Sequence, residues 1–253
     1  MVNSLKEKVL PDTQLTLISH GHSDVGFIRE NNEDSFLNRL DKGVFAVADG
    51  VGGLPFGALA SLLAMQHLDA SVQSTDSCST EDSFRKVVHE IHLNLVKSGI
   101  IVGGQNGIGT TFSAVRFLGD RFIFAQVGDS AIFHFSGSSN TLHQVSKSHT
   151  LEAELLAKHG PDAAKDMPEH YAHTLTRCMG QEIDFEVDIG HIPVVAGDSL
   201  LICTDGLTNM IEFSEIEKLC CELDVNQLVH HLIDLANQNG GVDNSTAVCI
   251  QVS

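Results

Sequence analysis

Two apolar runs in this chain end in the same way. FAVADGVGG, residues 45–53, passes from four apolar residues into Asp49-Gly50, and LLICTDGL, residues 200–207, passes from a second run into Asp205-Gly206. Each reads as a core strand that delivers a carboxylate to a sharp turn. Gly128-Asp129-Ser130 and Asp243-Asn244 repeat the arrangement at further strand ends. One such pair is ordinary turn chemistry. Four of them, if their strands converge, would set ionised carboxylates against each other unless cations neutralise them. Asp side chains with a backbone carbonyl and waters make an all-oxygen site suited to magnesium or manganese, and a glycine after the ligand lets that carbonyl turn outward. Four unrelated turns remain the alternative on pattern alone.

The remaining pattern gives the class. Strands are expected at about 15–20, 35–39, 43–48, 110–118, 121–128, 131–136, 184–189, 198–203 and 245–252, several joined by hairpin-length turns. Helices are expected at 57–72, 82–97, 214–222 and 225–238, with a further one at 151–158. The Ser/Thr-rich stretch 69–83 reads as a loop between two helices rather than a linker. Antiparallel strands interrupted by helix pairs give an α+β fold with sheets covered by helical layers, and no linker divides the 253 residues.

A formal net charge of -18 argues against nucleic acid or an anionic membrane as the main partner, since a phosphate surface demands a basic footprint. The six cysteines have no C-x-x-C spacing and read as reduced thiols of a cytoplasmic protein. The opening MVNSLKEKVLPDTQ has no signal-peptide core, and no run approaches a membrane span. The absence of a heptad makes a monomer the expected state.

Other candidates fall short. GGQNGIGTT, residues 103–111, has the glycine spacing of a phosphate loop but carries Thr110 where the Lys is required, and reads as a flexible loop entering a strand. GHSDVG, residues 21–26, has Val25 where a nucleophile elbow needs glycine. HEIH, residues 89–92, has the wrong spacing for a zinc motif, so His89 and His92, like His230 and His231, read as helix-surface residues.

Taken in order, the segments SDVGFIRENNEDSF (23–36), VADGVGG (47–53), GTT (109–111), VGDS (127–130), SHT (148–150), LTRCMG (175–180), GDSLLICTDGL (197–207) and DNSTAV (243–248) resemble the metal-dependent protein phosphatase family, also called protein phosphatase 2C, in its compact bacterial form. The resemblance spans about 15 to 252. It implies a four-layer α-β-β-α sandwich, two central antiparallel sheets between helical layers, as a single catalytic domain over 1–253. It implies two manganese or magnesium ions, and a third held more weakly. Asp49 matches the ligand bridging both metals, Gly50 the carbonyl ligand, and Asp205 and Asp243 carboxylates completing a shell. Glu33 and Asp34 match the acidic pair acting through water, Asp129 the ligand of the third metal, and Arg29 the arginine that grips the substrate phosphate. The implied reaction is hydrolysis of phosphoserine and phosphothreonine in proteins, the substrates of a serine/threonine kinase, by direct attack of a metal-bridging hydroxide.

This chain departs from the pattern at three positions. Val51 follows Asp-Gly where many eukaryotic members carry a proton-donating His, so another donor must serve, and a water at the Asp129 site is the expected one. Ala131 stands where the family usually has Arg, and Ser148 where it usually has Asp. The segment 151–174 corresponds to the family's flap, the expected seat of substrate choice. Two other readings use the same carboxylates: a catalytically weak homologue that binds phosphoproteins, and a calcium-stabilised structural domain.

Overall fold

The computed structural model describes residues 6–9, 15–54, 56–73, 78–165, 167–182 and 186–253. Among these residues, eleven strands form two antiparallel sheets. One is six-stranded, in the order β1 (Lys6–Val9), β2 (Thr16–Asp24), β11 (Ser245–Val252), β10 (Ser199–Cys203), β7 (Ala131–Ser136) and β8 (Thr141–Gln144). The other is five-stranded, in the order β3 (Asp34–Arg39), β4 (Val44–Asp49), β5 (Phe112–Phe117), β6 (Arg121–Val127) and β9 (Asp188–Pro193).

The continuous apolar runs follow from a double burial. In β4, Phe45 and Val47 enter the core between the sheets, where they meet Ile132, Ile202, Val248 and Ile250 of the opposite sheet. Val44, Ala46 and Ala48 face the other way, toward α1 (Gly57–Ser71) and α2 (Glu81–Val102). On the far side, Phe133, Leu201, Cys203, Ala247 and Cys249 pack under α6 (Phe213–Glu222) and α7 (Val225–Gln238). Three apolar cores thus separate four layers, helix, sheet, sheet, helix, and each central strand must be apolar on both faces. This is the α-β-β-α sandwich that the family resemblance implied.

The expected strand at 184–189 is displaced: the chain pairs with β6 over Asp188–Pro193, and residues 183–185 lie outside the described ones. As an edge strand with one neighbour, β9 buries only Ile192 fully, so its alternation is weak. The other missed strands, β1 and β8, are also edges, four residues each. Helix α2 runs on to Val102, past the expected end, since its last apolar residues, Ile100, Ile101 and Val102, face solvent and interrupt the period without breaking the helix. The 69–83 loop is shorter than expected, as α1 reaches Ser71 and α2 starts at Glu81; residues 74–77 lie outside the described ones. The 103–111 loop contains a 3₁₀ turn at Gly104–Asn106 and then pairs through Thr110 with Gly50 and Met179.

Two histidine assignments are corrected. His92 lies on the buried face of α2, where its Nδ1 accepts a hydrogen bond from the Gly180 N–H at 3.3 Å. His230 is half-buried, its Nε2 3.2 Å from the Nε2 of His20, with the His22 ring beside it. The segment 151–174 contains α3 (Leu151–His159) and a short α4 (Glu169–Ala172). Among the described residues, no helix is long and apolar enough to cross a membrane.

Candidate metal centre

The polar ends of β3, β4, β10 and β11 meet at one end of the sandwich. Asp34 opens β3 and stands directly across from Asp49, the last residue of β4. Both sides of the Asp49 backbone are tied down. Its N–H donates to Thr111 Oγ1 at 2.9 Å, and its carbonyl accepts from Thr110 Oγ1 and from the Thr111 N–H, each at 2.8 Å. The GTT segment therefore holds the strand end still while the side chain reaches the rim. Gly50 follows in a place only glycine fits: a Cβ there would lie 2.4 Å from the Gly57 carbonyl carbon.

The opposite wall is built in the same manner. Thr204, at the end of β10, donates to Asp34 Oδ2 at 2.9 Å and accepts from the Thr246 N–H at 3.0 Å, tying the two sheets together behind the site. Asp205 then begins α5 (Asp205–Thr208), and its Oδ2 accepts from Asn209 Nδ2 at 3.1 Å. Buried Asn244 fastens the 25–33 loop: its side chain donates to the carbonyls of Val25 (2.9 Å) and Asn31 (3.1 Å) and accepts from the Glu33 N–H (2.8 Å). Asp129 sits between β6 and β7 on a turn clasped by His149. That residue's Nδ1 accepts from the Gly128 N–H at 3.1 Å, and its own N–H donates to the Gly128 carbonyl at 2.9 Å.

These elements enclose a cleft of about 540 Å³ lined by Arg29, Glu33, Asp49, Gly50, Asp129, Asp205 and Asp243, with His173 from just after α4. Every residue expected at the site reaches this cleft except Asp34, which is buried just behind Asp49. Arg29 is exposed, and its Nη2 donates to Asp243 Oδ2 at 2.8 Å. Among the described residues it is the one Lys or Arg in the lining.

One fixed positive charge against this many carboxylates leaves an electrostatic deficit. Asp49 is pushed well above the usual carboxylate range, first by burial and then by the charges of Asp34, Asp205 and Asp129. Asp34 is pushed up to about 7 and Asp129 to about 7, each chiefly by burial, and Asp205 is raised for the same first reason. Asp205 Oδ1 and Asp34 Oδ1 are buried without a hydrogen-bond partner. Buried orphaned oxygens in a carboxylate cleft are what a divalent cation would satisfy, and the all-oxygen donor set suits magnesium or manganese. The residues present therefore fit such a site. As they stand, no three His, Cys, Asp or Glu side chains among the described residues close into a group that could hold an ion. The expected donors include a carbonyl and waters as well as carboxylates.

Sequence reasoning did not foresee Thr204, Asn244 or His149 as the residues that position the acids. Thr204 precedes Asp205 and Asn244 follows Asp243, so adjacency was the available signal, but nothing local shows that a buried hydroxyl or amide binds a segment some 170 or 210 positions away.

Comparison with known proteins identifies the family and the fold. A family model described as Protein phosphatase 2C matches residues 28–244. The chain is similar to the serine/threonine phosphatase stp of Listeria welshimeri, 32% identical over 238 residues that cover 90% of this chain and 93% of that protein. It is also similar to protein phosphatase PhpP of Streptococcus pneumoniae, at 31% over 242 residues, covering 91% and 96%. Among solved structures, the Mycobacterium tuberculosis serine/threonine phosphatase PstP/Ppp superposes with a TM-score of 0.83 at 27% identity, covering 93% of this chain and 98% of that one. The catalytic domain of PstP in complex with two manganese ions gives 0.81 at 28%, covering 94% and 99%.

Proposed function

This chain belongs to the protein phosphatase 2C family, and we propose that it hydrolyses phosphoserine and phosphothreonine in proteins with the help of manganese or magnesium ions held in the carboxylate cleft. The observation that carries this reading is the convergence of Asp49, Asp129, Asp205 and Asp243, from four separate strand ends, on one cleft that also holds Arg29. In this reading Asp49, the Gly50 carbonyl, Asp205 and Asp243 would hold two divalent cations, Asp129 would contribute to a third, and Glu33 and Asp34 would act through water. Cations bound there would supply an acidified water for direct attack on phosphorus and would neutralise charge on the phosphate.

The chain's own residues do the rest. Arg29 is placed to receive the substrate: a planar guanidinium binds two phosphate oxygens at once, and its present partner, Asp243, keeps it at the cleft mouth. Gly52 leaves room beside it, since even a Cβ there would approach Arg29 Nη1 only to 3.7 Å. Val51 has no proton to give, so the leaving alkoxide is protonated from elsewhere in the cleft. The whole chain acts as one catalytic domain with 151–174 as its flap, working as a cytoplasmic monomer on the products of a serine/threonine kinase.

The test is direct. Purified protein given manganese should release phosphate from a phosphothreonine peptide and p-nitrophenol from p-nitrophenyl phosphate, and EDTA should stop both. Turnover that survives chelation would reject the reading.

A further inference from the structure

A second cavity, of about 330 Å³, opens directly beside the cleft and shares Asp129, His173 and Asp205 with it as common walls. Its character is different. Ala131, Phe133, Ile211 and Ile216 form a fully buried apolar floor. Two exposed side chains stand over that floor: Leu156 of α3 and Phe213 at the start of α6, whose ring lies 6.0 Å from that of Phe133. None of α3's nine residues is buried, so this helix brings an unfilled apolar edge to the groove.

We propose that this groove binds a bulky apolar side chain that flanks the phosphorylated Ser or Thr of the substrate protein, and so selects among phosphoproteins. The proposal rests on the phosphatase reading, because the shared walls make the groove an extension of the phosphate cleft. Three observations fix the occupant. The volume lies at the bottom of the range for small-molecule sites, roughly 300–1,000 Å³, which suits one side chain rather than a whole ligand. The shared walls mean that only a few residues of extended chain, at roughly 3.3 Å each, separate the two binding points. The lining contains Glu152 but no Lys or Arg among the described residues, so nothing there pairs with an acidic flanking residue, while the apolar floor accepts an apolar one.

Ala131 decides whether the groove exists. It lies on the floor, and a larger side chain at that position would fill the space. The flap thus supplies one wall, but the room comes from a small residue on β7.

The experiment scans phosphothreonine peptides carrying Leu or Ala at each position from three before to three after the phosphoresidue, with p-nitrophenyl phosphate as a substrate that has no flanks. At one flanking position Leu should raise kcat/KM about tenfold or more over Ala, within the range of roughly 10–200-fold that apolar pockets deliver. Phe213→Ala and Ala131→Leu should each remove most of that ratio while leaving p-nitrophenyl phosphate turnover within about twofold. A ratio near one at every position, or one that survives both substitutions, overturns the proposal. A ratio near one together with a dimer that Phe213→Ala dissolves gives the groove to a second copy of the chain and overturns it too. Failure of the unaltered, manganese-loaded protein on every substrate, p-nitrophenyl phosphate included, overturns the phosphatase reading itself.

Discussion

Asp34 shows how much strain a single residue carries for this site. It is buried behind Asp49, one of its oxygens is held by Thr204 and the other has no partner, and burial pushes it up to about 7. The sign of its effect follows from linkage. The folded chain keeps a proton that the unfolded chain releases near pH 4, so stability falls as pH rises from about 4 toward about 7. Asp34→Asn removes the titration. The metal-free variant should lose less stability between pH 5 and pH 7.5 than the metal-free parent, measured by thermal unfolding at the two pH values. An equal loss in both would place the titration elsewhere. At this scale the sequence was informative about which acids matter, because Asp49, Asp129, Asp205 and Asp243 each sit beside Gly or Asn at a strand end. It was silent on depth, since nothing local tells that Glu33 lines the cleft while its neighbour Asp34 lies behind it.

At the scale of elements, the site depends on segments that hold strand ends together. Asn244 satisfies three backbone groups of the 25–33 loop, the segment that carries Arg29 and Glu33. Asn244→Ala leaves those groups unpaired, at a cost of about 1–3 kcal/mol for a buried group. Urea unfolding should show a loss of that size, and KM for a phosphopeptide should rise as Arg29 loses its anchor; unchanged values for both would remove Asn244 from this role. The central strands were legible because burial on both faces makes β4 and β10 read as unbroken apolar runs. The edges were not. β1, β8 and β9 have one sheet neighbour each, so half of their pattern is set by solvent and loops. His92 escaped notice for a related reason: its polarity suggested solvent, while its place beside Ile91 and Leu95 put it on the buried face of α2.

At the scale of the whole molecule, the four layers exist to bring distant strand ends to one rim. The order of motifs along the chain announced that outcome, but the distances that matter join residues such as Asp34 and Thr204, 170 positions apart. Assembling them concentrates negative charge that a chain of net charge -18 does little to offset. In the proposed reading divalent cations complete the arrangement, and the central claim stands on them. The measurement that bears on it most directly is phosphothreonine-peptide hydrolysis by metal-stripped protein titrated with manganese, for the parent chain and for Asp49→Asn and Asp205→Asn. The parent should rise from background to saturation, and both variants should remain at least about a hundredfold slower at saturating manganese, as expected when charge stabilisation at the reacting group is removed. Turnover without added metal, or full turnover in both variants, would contradict the account.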